Sequence, residues 1–356
     1  MHQTDLHLEP NEASDLCPVF DADLLARRGW DRAFVTVLDQ APVEEAIAVL
    51  AHAAGADLGE GWDALRIAAR ATKAAGRTGD AEACARRRGW IVVLGSQFGD
   101  KSGPLDPRRS WVARVREESL VEALDGGRAK VEIARLRFGL HRAVNDALAA
   151  GGVDLIELGP LARRAYIDAT IVRGASEAKR WSGRVTSADQ PINVEGADFR
   201  ADGRLLLGLR YPVSAEGHPL LVELDDVHAL FEDPDAVPRV TNVWVLEDVG
   251  SAQEPAGVRA LHAEGIDRFD AVVGDLDAAG KGALILEDHP EGGLARSEHV
   301  RFTLPLVAGG GSVSSERVHD FGDVRRVEGV ALAADGHAHF VIDNDGHVGL
   351  RTLVLE

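Results

Sequence analysis

The sequence predicts an all-β fold, a β-propeller of about five recognisable blades with a sixth compatible with the spacing. Three observations lead there. A hairpin pattern recurs along the chain. Val194-Glu195-Gly196-Ala197-Asp198-Phe199 leads through Asp202-Gly203 to Leu205-Leu206-Leu207-Gly208-Leu209-Arg210, and Val327-Glu328-Gly329-Val330-Ala331-Leu332 leads through Asp335-Gly336 to His339-Phe340-Val341-Ile342-Asp343. The register is the same in both, since 210 − 195 and 343 − 328 are each 15. Asp-Gly between two apolar runs marks a tight antiparallel turn, because glycine adopts the positive φ that such turns need. Further short apolar runs follow most of these hairpins. Units of about four short strands repeated along a chain are the mark of radial repetition, whereas a sandwich gives no reason to repeat one opening.

Taken in order, Asp5-Leu6-His7-Leu8-Glu9 is an N-terminal strand without a local partner, expected to pair near Leu350 to Leu355 and so close the ring. A weak hairpin follows, Asp23-Leu24-Leu25-Ala26 with Arg32 to Asp39. The third clear copy is Asp80-Ala81-Glu82-Ala83-Cys84, then Arg88-Gly89, then Trp90 to Ser96, one residue shorter. Trp111 to Val115 continues it as a strand. Residues 139–185 read as a helical insertion between blades: Leu140, Val144 and Leu148 stand at helical spacing before Gly151-Gly152, and a second helix is expected after Pro160. Leu220 to Leu224 and Val243 to Leu246 are strands of the next unit. The other weak hairpin joins Gly257-Val258-Arg259-Ala260-Leu261 to Phe269 to Asp275. Ala283 to Leu286 reads as a strand and Ala308 to Ser312 as a flexible glycine loop. Asp343-Asn344-Asp345-Gly346 reads as a hairpin turn, because the positions around it do not fit an EF-hand.

All 356 residues are expected to form this single propeller domain. Acidic residues outnumber basic ones 58 to 39, and the formal charge of −19 opposes nucleic acid and anionic membrane as partners. The opening residues carry no signal-peptide pattern and no apolar run is long enough to span a bilayer, so the expected location is the cytoplasm. Two cysteines, Cys17 and Cys84, are too few for a disulfide framework or a four-thiolate zinc site and read as core residues. Arg86-Arg87-Arg88, Arg108-Arg109 and Arg163-Arg164 read as solvated or ion-paired.

The motifs Asp80-x-Glu82-Ala83, Asn193-x-Glu195-Gly196 and Arg326-x-Glu328-Gly329, with Leu207-Gly208-Leu209-Arg210-Tyr211-Pro212, resemble the bacterial domain-of-unknown-function family 3616. That resemblance implies a propeller distantly similar to the esterase-like phytase and lactonase propellers. It brings no established activity with it. The chain departs from the pattern at Ala83, where glycine is usual, and in the fourth unit, which has no equivalent glutamate.

Propeller topology brings the start of each first strand and the end of each second strand to one mouth of the central channel. Glu82, Glu195 and Glu328 occupy strand starts, and Asp39, Ser96, Arg210, Asp275 and Asp343 occupy strand ends. A funnel lined by Glu82, Glu195, Glu328, Asp275 and Asp343 offers hard oxygen ligands for Ca²⁺ or Mg²⁺, and such an ion could polarise an ester, lactone or phosphoester. In that reading Glu195 and Glu328 act as ligands or general base and Arg210 binds an anionic group. The competing reading is structural. The same glutamates could pair with arginine and fix one blade to the next, leaving a non-catalytic scaffold that binds a protein or a small ligand on its face.

Overall fold

A computed structural model describes residues 1–8, 12–71, 78–233, 236–277, 282–306, 309–344 and 347–355. Antiparallel β-sheet of the propeller kind is the main regular structure of the described chain. Strand β1 (His2–Leu6) belongs with the C-terminal strands. The first unit comprises β2 (Ala13–Pro18), β3 (Trp30–Leu38), β4 (Ile47–Ala53) and β5 (Trp62–Arg66). Short β6 (Ala69–Ala71) crosses to the second unit and lies parallel to its last strand. That unit holds β7 (Ala81–Arg87), β8 (Trp90–Gly95), β9 (Trp111–Arg116) and β10 (Ala129–Arg135). The third has β11 (Asn193–Phe199), β12 (Leu205–Tyr211), β13 (Leu220–Asp225) and β14 (Arg239–Glu247). The fourth has β15 (Gly257–Ala263), β16 (Arg268–Gly274), β17 (Glu298–Thr303) and β18 (Gly311–Asp320). The last has β19 (Val327–Leu332), β20 (His337–Asn344) and β21 (His347–Val354), completed by β1.

Each first strand lies beside the first strand of the next unit, in the order β2, β7, β11, β15, β19, and β19 returns to β2. The apolar layers sit between neighbouring sheets. Val92 and Leu94 of β8 share a core with Leu205, Leu207 and Leu209 of β12, and Leu206 and Leu221 share another with Val258, Phe269 and Val273. Close approach of the first strands explains the glycine after the glutamate. A Cβ on Gly196 would stand 2.9 Å from the backbone of Ala260 and Leu261, and one on Gly329 2.9 Å from that of Asp15.

The terminal strand closes the last sheet, with Gln3 opposite Arg351 and Leu6 opposite Val348, so pairing begins at His2 and reaches Leu6. Glu9 lies outside the described residues, as do Asp345, Gly346 and Ala308. Between β10 and β11 the chain forms a helix over Gly139–Ala150 and a helical stretch from Pro160 through Ser176 with a π-helical turn at Arg163–Asp168.

Three expectations of local structure, two strands and a loop, are overturned. Ala22–Arg28 is a helix, capped by the Asp21 carboxylate on Leu24 N–H and stopped at Gly29 with φ 71°, so the first strand of this unit is Ala13–Pro18. Leu284–Asp288 is also helical; a short apolar run is ambiguous between strand and helix until its contacts decide. Gly311 and Ser312 open β18 and pair in parallel with Trp244 and Val245. Gly310 there takes φ 61° with its Cβ position 2.6 Å from the Val243 carbonyl oxygen, so glycine permits close backbone approach.

Candidate functional site

The ladders of the inner hairpins share one irregularity. In β11·β12 Val194 pairs with Leu209 and Gly196 with Gly208, leaving Glu195 between them. The same skip falls at Glu82 in β7·β8 and at Glu328 in β19·β20. In β15·β16 it falls at Arg259, with Val258 opposite Val273 and Ala260 opposite Val272. A bulge re-aims the extra side chain and bends the strand, and here the four re-aimed side chains all line one central funnel. The funnel encloses about 800 Å³ and narrows to a throat of about 90 Å³. Glu12, Asp39, Glu82, Glu195, Glu328 and Asp343 line the throat with Arg210 and Arg259.

Five of the six residues singled out in the sequence therefore reach the funnel wall: Glu82, Glu195, Glu328, Arg210 and Asp343. Asp275 stands behind it. Its carboxylate accepts from Arg210 Nη2 and Arg259 Nη1, both at 2.8 Å, and its carbonyl oxygen accepts from Arg210 Nε at 3.0 Å. Arg210 also donates through Nη1 to Glu195 Oε1 at 2.8 Å. Arg259 donates through Nε to Glu328 Oε2 at 3.0 Å and through Nη2 to Glu328 Oε1. Glu195 Oε2 lies 3.0 Å from Arg259 Nε, but that N–H points to Glu328, so the Glu195 contact is charge attraction without a hydrogen bond. Arg259 is the residue that the sequence reading missed. The hairpin register places it at the glutamate position of the fourth unit, where it answers the glutamates of the units on both sides.

The protonation pattern divides the funnel. Burial raises the Glu195 pKa, against the pull of Arg210 and Arg259. Burial also acts on Glu328, but bidentate Arg259 outweighs it and holds this carboxyl below its ordinary range. On the neighbouring inner strand β7, burial and then Asp80 and Glu195 push Glu82 well above the usual carboxylate range. Burial and adjacent Glu12 push Asp39 up to about 9. Asp343 is raised by burial despite its 2.9 Å pair with Arg326. Ser14 Oγ donates to Glu82 Oε2 at 2.9 Å, and among the described residues no cation pairs with Glu82.

Four of the five carboxylates expected to hold Ca²⁺ or Mg²⁺, Glu195, Glu328, Asp275 and Asp343, are thus engaged by arginine. Among the described residues, no three His, Cys, Asp or Glu side chains come together in a way that would hold a metal ion. The cluster as arranged does not fit a resident metal. Arg210 spends N–H groups on all of its three nitrogens within the protein, which removes most of its capacity for an anionic ligand. Among the described residues no helix is long and apolar enough to cross a membrane.

No family model matches the chain, and no curated protein does. Solved structures similar to it include an α-L-arabinanase mutant from Cellvibrio cellulosa, at 9% identity and TM-score 0.41 over 99% of this chain and 93% of that one. A putative 6-phosphogluconolactonase from Bacteroides uniformis matches at 10% identity and TM-score 0.33, over 96% of this chain and 85% of that one. A putative glucose dehydrogenase from Thermus thermophilus matches at 13% identity and TM-score 0.37, over 98% of each chain. No activity transfers at such scores, and the resemblance to family 3616 finds no family match behind it. The propeller assignment rests on the strand pairing described above.

Proposed function

We propose that the five sheet units are the five blades of one propeller domain over residues 1–356, with the helices of 139–185 inserted between the second and third, and that its funnel hydrolyses a small ester or lactone. One observation carries this reading. Glu195 lines the throat and keeps one oxygen, itself buried, free of hydrogen bonds, while Glu82 lines the same throat with its carboxyl pushed well above the usual range by burial. Burial raises both carboxyls, and Glu82 further because its charged neighbours are acidic while Glu195 has two arginines. Glu82 therefore keeps its proton to higher pH, and two carboxyls set apart in this way are the usual form of an acid and base pair.

In this scheme Glu195 Oε2 takes a proton from water as the water oxygen bonds to the acyl carbon. The acyl–oxygen bond then breaks, and Glu82 delivers its proton to the departing alkoxide. A carboxylic acid and an alcohol leave, and proton exchange with solvent resets the two glutamates. Arg210 and Arg259 oppose burial and keep Glu195 ionisable, whereas the charge of Glu328, itself locked by Arg259, works against it. A phosphoester is the least suited of the ester classes, because the wall is rich in carboxylates and Arg210 is engaged. A route assisted by Ca²⁺ or Mg²⁺ at Glu82, Glu195, Glu328 and Asp343 requires Arg259 to release a carboxylate.

The test is a screen of carboxylic esters and lactones on the purified chain, with and without Ca²⁺ and Mg²⁺, repeated on Glu195→Gln and Glu82→Gln. Loss of 10²-fold or more in kcat for folded Glu195→Gln supports the scheme. Hydrolysis that appears only with added cation supports the metal-assisted route. A second reading has its own observation: Arg259 and Arg210 fasten the third, fourth and fifth units through Glu195, Asp275 and Glu328. A wild type inactive throughout, with Glu195→Gln strongly destabilised, means a scaffold whose face binds a small ligand or a protein.

A further inference from the structure

We infer that the funnel takes ligands with a cationic head bearing N–H donors, such as an ammonium or amidinium group, and that Asn193 is the residue that reads it. The inference rests on the funnel being the ligand site and adds the class of ligand.

Charge is the first ground. Ten Asp and Glu residues line the funnel against six Lys and Arg. The five arginines among them are matched within the protein: Arg108 by Asp106 at 2.6 Å, Arg109 by Asp80 at 2.8 Å, Arg326 by Asp343 at 2.9 Å, and Arg210 and Arg259 by the central carboxylates. Setting aside Glu82 and Asp39, which no arginine holds, leaves eight acidic groups to six basic ones, with Asp80, Glu195 and Asp343, also raised by burial, each held by an arginine. A water-filled cleft lined by one excess sign concentrates ligands of the other sign.

Asn193 is the second and independent ground. It lines the funnel with only 9% of its surface exposed. Its Nδ2 donates to Glu195 Oε1 at 3.0 Å, and that bond fixes the amide orientation, because a carboxylate accepts and does not donate. The carbonyl oxygen Oδ1 is buried and has no partner among the described residues. Buried acceptors in folded proteins are rarely left unmatched, and this one belongs to a residue that lines the funnel, so a ligand that reaches it has to bring a donor. An anion offers none. A quaternary ammonium offers charge but no N–H, so Asn193 distinguishes it from a primary ammonium of the same charge.

Four matched probes test this by calorimetric titration of the full chain at pH 7.5: 6-hydroxyhexylammonium, its N,N,N-trimethyl analogue, hexane-1,6-diol and 6-hydroxyhexanoate. The expected order places the primary ammonium on the order of tenfold ahead of the trimethyl analogue, and both ahead of the diol and the carboxylate. Asn193→Leu should abolish the tenfold gap between the two cations and keep both ahead of the carboxylate. If that variant fails to fold, Asn193→Asp, which keeps an acceptor, should preserve the gap. Carboxylate binding as tight as that of the primary ammonium overturns the inference, as does a gap unchanged in folded Asn193→Leu, or no binding by any probe. Because binding is read without turnover, an inactive protein that keeps this order refutes the hydrolase reading and leaves the ligand class standing.

Discussion

Arg259→Met is the sharpest probe of how the centre is held together. The guanidinium is 4% exposed, bonds Glu328 through two nitrogens and Asp275 through the third, and stands against Glu195. Methionine fills much of the same volume, so the loss is chiefly electrostatic. It leaves three buried carboxylates with Arg210, which already serves Glu195 and Asp275. Removing one partner of a buried ion pair costs about 3–5 kcal/mol. Unfolding entropy of about 2.1 cal/mol/K per residue gives roughly 0.75 kcal/mol/K for this chain, so the midpoint should fall by about 4–7 °C. The sign with pH follows from Glu328. Without Arg259 its folded pKa rises above its unfolded value, so the penalty is small below the unfolded pKa and grows as pH rises through the new folded one. Calorimetric scans at pH 5 and pH 7.5 should therefore show the larger deficit at pH 7.5. Adding Glu328→Gln to Arg259→Met should recover part of it. Arg317→Met, at the exposed pair with Glu298, is the control and should not shift the midpoint measurably. A midpoint within 1 °C of wild type at both pH values, or a deficit that the double variant deepens, refutes the account (about 1 °C being the resolution assumed).

Deleting residues 1–8 removes β1 and the buried Leu6 and Leu8; at about 1.5–3 kcal/mol for each buried side chain the midpoint should drop by roughly 4–8 °C, and an unchanged scan means that the closing strand adds nothing. Gly196→Ala places a Cβ 2.9 Å from the backbone of the next inner strand, and overpacking of about 1–3 kcal/mol should appear as a lower denaturation midpoint with an unchanged m-value. For any ester that the chain hydrolyses, kcat/KM should rise as Glu195 loses its proton and fall as Glu82 does, with both limbs above the ordinary carboxylate range. Glu82→Gln should erase the falling limb in a pH–rate profile; a profile that keeps it assigns the acid to another group.

The inner hairpins were legible in the sequence because their causes are local. Asp202-Gly203 and Asp335-Gly336 set the turns, apolar alternation sets the buried face, and the shared register then carries Glu195 and Glu328 to equivalent bulges. The same locality carried the expectation that Glu82, Arg210 and Asp343 converge. The helix Ala22–Arg28 is local too, since Asp21 caps it and Gly29 stops it, a signal that the strand expectation passed over; only at Leu284–Asp288, whose apolar residues suit either a strand or a helix, did tertiary structure choose. The electrostatic arrangement of the centre was not local at all. Arg259 meets Glu328 across 69 residues of chain and Arg210 meets Asp275 across 65, and those distances close only when the inner strands stand side by side. The sequence by itself determined which side chains the bulges would present to the funnel. Only the tertiary structure decided which carboxylates arginine neutralises and which, like Glu82, burial holds to their protons, because desolvation and pairing depend on neighbours that the chain brings from other units.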